Sequence, residues 1–318
     1  MVDTCNFTLP HTYYDYNHIK KIFQDKLKFK VDSRYSNGSS LVAHYKNYSF
    51  SISKKQLRAT GSLTKLYFGN NVENLYYNQF QDALNEFETL FEIPFNEATI
   101  NRLDVSATFA MSQPVSMFLD ILTTPYSYEI ILYGNKTKGF VNKIQSLNFY
   151  DKVTELQKKD RVSYKTYLND YLLRYELKFN KDLIKQLNLS DLKFKNLYNP
   201  DLYQTLLNKW FEGYQAVPKL TKMLPSQLSD KSLTAYKQSH IDSNLNTIGG
   251  LSIEKNRVYH SKMKKSVKHL ISNYLDTLYP IEPLSTGLQL ELDSKIENMY
   301  WKQMDQLREI MYPIEEVN

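Results

Sequence analysis

Residues 100–109 read Ile-Asn-Arg-Leu-Asp-Val-Ser-Ala-Thr-Phe, and their alternation decides the fold class. Leu103, Val105, Ala107 and Phe109 fall on one side of an extended chain, and Arg102, Asp104, Ser106 and Thr108 on the other. A side-chain period of two belongs to a strand with one dry and one wet face. The same design recurs at 145–152, where Leu147 and Phe149 oppose Asn148, Tyr150 and Lys152. It recurs again at 171–179, where Leu173, Tyr175, Leu177 and Phe179 oppose Arg174, Glu176 and Lys178. Lys46 to Ser53 alternates too, and 128–133 reads as a further strand running into the polar turn Gly134 to Gly139.

Helical spacing interrupts these strands. Tyr76, Phe80, Ala83, Leu84, Phe87 and Leu90 form one apolar stripe over 72–92, which Pro94 ends. Ser112 and Pro114 mark the start of a short helix, and 152–160 reads as a charged one. From about residue 181 the strand pattern fades, and helices are expected at 181–187, 200–214, 226–238, 259–276 and 293–310. The expected fold is α+β: an antiparallel-type central sheet with flanking helices, followed by a helical C-terminal region. Residues 1–190 are expected to form one domain, and 191–318 a helical C-terminal region.

Composition narrows the function. The chain has 318 residues, 40 Lys+Arg against 34 Asp+Glu, and a net charge of +6, which is compatible with a nucleic-acid partner. No apolar run reaches the roughly 18 residues of a membrane span, and the first residues lack a signal-peptide pattern. Cys5 is the sole cysteine, so an internal disulfide or a cysteine zinc cluster is excluded. A reducing, cytoplasmic setting is expected. Phosphate-loop, dinucleotide and HEXXH motifs are missing.

The wet faces of the three strands carry the chemistry. If they share one side of one sheet, two carboxylates, a tyrosine and several cations converge, which is an inventory for phosphodiester chemistry. Asp104 and Glu176 supply oxygen ligands for a hard divalent metal, Mg²⁺ or Mn²⁺. A tyrosine hydroxyl is a weak nucleophile until assisted; Lys152, two residues from Tyr150, is placed to lower its pKa or to neutralise the phosphate. Arg102 and Arg174 are candidates to hold flanking phosphates, with Lys178 beside them.

Arg102-Leu103-Asp104, then Tyr150-Asp151-Lys152 with Glu155, then Arg174-Tyr175-Glu176-Leu177-Lys178 resembles the replication initiators of filamentous bacteriophages, the gene II/X type. It is similar, more distantly, to the Rep proteins of rolling-circle plasmids. The stretch Lys54 to Asn70, with Ala59-Thr60-Gly61-Ser62 and Phe68-Gly69-Asn70, resembles the phage family's upstream segment, so the likeness covers about residues 45–185. It implies an enzyme that nicks one strand of double-stranded DNA at an origin, keeps the 5′ phosphate on a tyrosine and later rejoins the strand. Tyr150 matches the nucleophile position, Lys152 the lysine beside it, and Asp104 and Glu176 the acidic positions at the metal. Origin DNA, double- and single-stranded, is the implied partner, with a host helicase and polymerase, and no membrane is implied.

The six histidines contain no His-x-His pair, unlike many rolling-circle initiators, so carboxylates would hold the metal, with Glu129 or His44 as a third ligand. Tyr133, Tyr164 and Tyr175 compete for the nucleophile role; only the Tyr-x-Lys placement favours Tyr150. Lys262, Lys264, Lys265 and Lys268, within 254–269, make a basic helix face suited to a DNA backbone, and Lys136 and Lys138 could reach phosphate near the nick. Two other functions fit the same residues: a non-catalytic DNA-binding replication factor, and a metal nuclease that uses water.

Overall fold

The structure, a computed structural model, describes residues 1–25, 30–31, 40–91, 93–219 and 282–312. Ten strands form one sheet: β1 (Val2–Pro10), β2 (Lys30–Val31), β3 (Ser40–Tyr45), β4 (Tyr48–Ser53), β5 (Gln56–Thr60), β6 (Thr99–Ala110), β7 (Glu129–Leu132), β8 (Thr137–Val141), β9 (Gln145–Asp151) and β10 (Leu172–Phe179). Their spatial order is β2-β3-β4-β5-β1-β6-β10-β9-β8-β7, and every pairing is antiparallel. The three strands that share the alternating design, β6, β10 and β9, are consecutive neighbours.

β1 is absent from the expected strands, yet it lies in the middle of the sheet, between β5 and β6. Cys5, Phe7 and Leu9 are fully buried, while Thr4, Asn6 and Thr8 lie on the outward face. The Phe7 ring meets Phe87, Phe95 and Phe194 edge-on at 5.5, 5.4 and 5.1 Å between centroids, a favoured aromatic geometry.

Helices cover the apolar face. They include α1 (Tyr16–Asp25), α3 (Tyr77–Phe91), α4 (Val115–Ile121), α8 (Pro200–Gln215) and α9 (Glu282–Met311). Leu202, Leu206, Trp210 and Tyr214 of α8 and Leu292, Ile296 and Leu307 of α9 join the same buried cluster as the strand residues. α8 sits so close that a Cβ added to Gly213 would lie 2.9 Å from both Leu147 Cδ2 and Tyr175 Oη. Tyr175 lies under it, stacked on Phe149 at 4.5 Å with its hydroxyl donating to the Trp210 carbonyl at 2.9 Å. The expected helices at 226–238 and 259–276, and the basic segment 254–269, lie outside the described residues. Among the described residues no helix is long and apolar enough to cross a membrane.

α2 (Leu63–Phe68) packs Leu63 and Leu66 into the same main cluster, while two short helices, α5 (Lys152–Lys159) and α6 (Arg161–Thr166), gather on the other face around Val153, Leu156 and Leu172; α7 (Leu183–Gln186) follows β10. Ser62 caps α2 by accepting from the Lys65 N–H, and Gly69 closes it at φ 77°, the left-handed conformation that suits glycine. Asp151 caps α5 by accepting from the Thr154 N–H, so the chain leaves β9 one residue after Tyr150. Lys152 therefore opens a helix instead of continuing the strand face.

Candidate active site

The antiparallel register places the polar side chains in rows. Thr108, Arg174 and Tyr150 are consecutive partners across β6, β10 and β9. Ser106, Glu176 and Asn148 make the next row, and Asp104, Lys178 and Ser146 the third. Asp104 and Glu176 thus stand diagonally on adjacent strands, with Tyr150 one row beyond Glu176 on the far side of β10. The sheet brings together the expected residues on β6, β9 and β10 on one face.

Each carboxylate has a cation from its own strand. Arg102 donates through Nε to Asp104 Oδ1 at 3.0 Å and through Nη2 to Oδ2. Asp104 is fully buried while the Arg102 side chain is 43% exposed. Lys178 Nζ lies 3.4 Å from Glu176 Oε2, with side-chain exposures of 34% and 8%. Burial pushes the Glu176 carboxyl above its ordinary pKa; Lys178 opposes this and Asp104 adds to it. Its hydrogen bonds to Asp104 hold the Arg102 guanidinium above its usual value.

Arg174 lies inside, not at the surface. Nη1 donates to the Asn71 carbonyl at 2.7 Å and to Thr108 Oγ1 at 3.0 Å; Nη2 donates to Ser106 Oγ at 2.6 Å and to Asp3 Oδ2. Asp3, at 5% exposure, also accepts from Ser62 Oγ–H, the cap of α2. The upstream segment noted in the sequence, Lys54 to Asn70, therefore reaches the site through Ser62 and Asp3, and Asn71, the residue just after it, through its carbonyl. Burial alone would raise the Asp3 carboxyl, but Arg174 and Ser62 hold it below its ordinary value. Asp3 is the carboxylate that sequence reasoning missed. The alternation of Cys5, Phe7 and Leu9 signals the strand but would give Asp3 to the same, apolar side; a register shift between Val2 and Cys5 breaks the alternation there.

Lys152 is fully buried, bonded to Glu155 Oε2, which Lys159 also approaches at 3.0 Å on Oε1. Its Nζ is 6.0 Å from the Tyr150 ring centroid. Burial and Arg174 bring the Lys152 amine down to about 8, against the pull of Glu155. Glu155 is raised by burial but held down at about 2 by its two lysines. The Tyr150 phenol is raised well above 10 by burial, with Arg174 pulling the other way. The hydroxyl therefore stays protonated in the resting site, although the residue as a whole is part-exposed.

Other expected residues sit elsewhere. Lys138 points into the interior, where it donates to the Leu122 carbonyl at 3.0 Å, and Lys136 pairs with Asp151 at 3.2 Å. Glu129 is on the edge strand β7, three strands from Glu176, or about 14 Å at the usual strand spacing. His44 is on β3, four strands from β6. Neither reaches the carboxylates.

The donor set suits a hard cation in part. Among the described residues no three His, Cys, Asp or Glu side chains stand as a ready metal cluster. Mg²⁺, however, commonly takes one or two carboxylates and fills its remaining positions with water and phosphate oxygens. Asp104 and Glu176 meet that need, and the cations beside them, Arg102 and Lys178, are the more exposed members of their pairs and can turn outward.

No curated protein matches the chain. Residues 1–201 match the family of phage replication-associated proteins described by the N-terminal region of the gene II product. That span holds all ten strands, Asp3, Asp104, Tyr150, Lys152, Arg174 and Glu176. The chain belongs to this phage replication-associated family, the gene II type of replication initiator.

Proposed function

We propose that the protein nicks one strand of origin DNA with Tyr150 as nucleophile and later rejoins it. One observation carries the choice of tyrosine: of Tyr133, Tyr150, Tyr164 and Tyr175, only Tyr150 is a part-exposed residue on the sheet face of Asp104 and Glu176. Tyr175 is spent on the Trp210 carbonyl in the core. Tyr133 is at the β7–β8 turn and Tyr164 on α6.

In this reading the phenol proton passes to the neutral amine of Lys152, whose lowered pKa suits a base near neutral pH. The phenol oxygen attacks phosphorus. An O–P bond to Tyr150 forms, the P–O3′ bond breaks, and the departing 3′ oxygen takes up a proton to become a hydroxyl. The phosphotyrosine keeps the diester energy, so the reverse attack reseals the strand. Mg²⁺ or Mn²⁺ held by Asp104 and Glu176 would offset charge on the phosphate oxygens. Arg174 lies across from Tyr150 in register and favours the phenolate. Arg102 and Lys178, once turned outward, would face flanking phosphates. The lysines at 262, 264, 265 and 268 would add backbone contacts from the C-terminal region, residues 191–318, while 1–190 carry the reaction; host helicase and polymerase would act on the opened strand.

A second reading, a metal nuclease using water, is favoured by the raised phenol pKa alone. The full chain, Mg²⁺ or Mn²⁺ and origin DNA, read on denaturing gels and by mass spectrometry, separate the two. A covalent adduct that disappears in Tyr150→Phe is expected. Cleavage without an adduct would give the reaction to water, and tight binding of origin DNA without cleavage would make the chain a non-catalytic factor.

A further inference from the structure

Two buried donors near Tyr150 have no partner among the described residues. Arg174 Nε and Asn148 Nδ2 are shielded from solvent and make no hydrogen bond. Buried N–H groups are paired in the great majority of cases, and an orphan costs the full desolvation of that group. Other orphans among the described residues, such as Trp210 Nε1 and Gln289 Oε1, belong to the helical layer. These two share the outward face: Arg174 is the cross-strand partner of Tyr150, and Asn148 is two residues before it on the same strand.

The neighbours hold both donors in place. Four hydrogen bonds fix the two Nη atoms of Arg174 and leave Nε over. The oxygen end of Asn148 sits against Gly139 on β8, where an added Cβ would lie 3.2 Å from Oδ1. The amino end is therefore the one turned away from β8. Glycine at this β8 position lets the amide lie low on the sheet.

We propose that Arg174 and Asn148 form an anion subsite that takes the non-bridging oxygens of a DNA phosphate beside Tyr150. It rests on the nicking reading and adds to it residues that bind phosphate independently of a metal. Arg174 supplies charge and one N–H; Asn148 supplies a neutral donor and sets the lateral position. Asp104 and Glu176 stand on the same face and oppose an anion, while Arg102, Lys178 and Lys152 offset them. Both donor atoms are shielded in the free protein, so a phosphate reaches them only as the side chains around them move aside.

The test is nuclear magnetic resonance of the full chain labelled with ¹⁵N, following the Arg174 Nε–H and Asn148 side-chain amide signals. Metal-free samples are titrated with inorganic phosphate and, separately, with a short oligothymidylate. Both signals are expected to move together and saturate, with tighter saturation for the oligonucleotide. Asn148→Ala is expected to weaken phosphate binding about tenfold, the loss of one hydrogen bond to a charged group. Gly139→Ala, which displaces the Asn148 amide, is expected to do the same. Signals that do not move, as when Glu176 takes the Asn148 amide internally, would overturn the proposal, as would unchanged affinity in Asn148→Ala. A response to inorganic phosphate but not to the oligonucleotide would make it a free-phosphate site and overturn its role with DNA. Saturable binding of both, retained in Tyr150→Phe, with no covalent adduct from wild type, would leave the subsite standing while the nicking reading falls.

Discussion

Asp104 and Lys178 are direct cross-strand partners on β6 and β10, yet each pairs within its own strand, Asp104 with Arg102 and Lys178 with Glu176. Two acids and two cations thus form a lattice in which the acids are buried and the cations reach solvent. A divalent ion bound as proposed would take the place of a cation that already reaches solvent.

That lattice predicts competition between Arg102 and a divalent ion. Arg102→Ala removes the cation that occupies both oxygens of Asp104. Mn²⁺ affinity, measured by the paramagnetic relaxation of water protons, should rise about tenfold, a cautious fraction of the repulsion between charges a few ångströms apart at an effective dielectric near 20. Asp104→Asn should weaken the same signal. A rise in Asp104→Asn would place the ion elsewhere.

Among the described residues, Asp3 is the only carboxylate bonded to the buried Arg174 guanidinium. Removing one partner of a buried pair leaves a charge without compensation and costs about 3–5 kcal/mol. Asp3→Ala should lose that much in urea unfolding, with an unchanged denaturant slope. A loss under about 1 kcal/mol, the net worth of an ordinary hydrogen bond, would mean that Ser106, Thr108 and the Asn71 carbonyl suffice for the arginine.

Lys152 gives the pH dependence. Its pKa in the folded protein, about 8, lies below the ordinary value of 10.5. The charged amine is thus penalised by folding at pH below about 8, and that cost fades as the pH climbs towards 10.5. If Lys152 takes the phenol proton, adduct formation should rise with pH through about 8 and then level. Glu155→Gln removes the pull that raises this pKa, so the midpoint should move to lower pH. A midpoint that moves up, or does not move, would take the base role from Lys152.

Two helical glycines should answer alanine oppositely. Gly213 is pressed against Leu147 and Tyr175, so Gly213→Ala should cost about 1–3 kcal/mol of overpacking. Gly287 on α9 has open space around it, so Gly287→Ala should stabilise by up to about 1 kcal/mol through helix propensity. Thermal unfolding of both variants checks the pair; equal signs would contradict the packing of α8 on the sheet.

The sheet's centre was legible where alternation was clean. Strands β6, β9 and β10, helix α3 and helix α8 lie within a few residues of their expected places. The site was legible to the extent that those strands are neighbours. β1, β2, β3, β5 and β8 were not read as strands: β5 offers only two buried side chains, Leu57 and Ala59, and β2 is two residues long, whereas the nine residues of β1 carry an alternation, Cys5, Phe7 and Leu9, that went unread. With β1 went Asp3, whose partner is 171 positions away in the chain. Lys152 was read onto the strand because period two does not register a cap. Asp151, accepting from the Thr154 N–H, turns the chain into α5 and buries the lysine. The interior direction of Lys138 was invisible for a related reason: the polar turn ends earlier than read, and β8 begins at Thr137.

The place of β1 has a consequence in time. β1 precedes the other nine strands in the chain and holds the sheet's middle, but its partner β6 begins at Thr99 and β10, the neighbour after that, ends at Phe179. Contacts so distant in sequence close slowly. A ribosome must release most of the 201 residues of the family region before Asp3, Asp104, Tyr150 and Glu176 can meet. A chain stopped short of β10 holds Asp3, Asp104 and Tyr150 but neither Arg174 nor Glu176, and no strand joins β9 to β6. Synthesis itself thus withholds the candidate site until the sheet is whole.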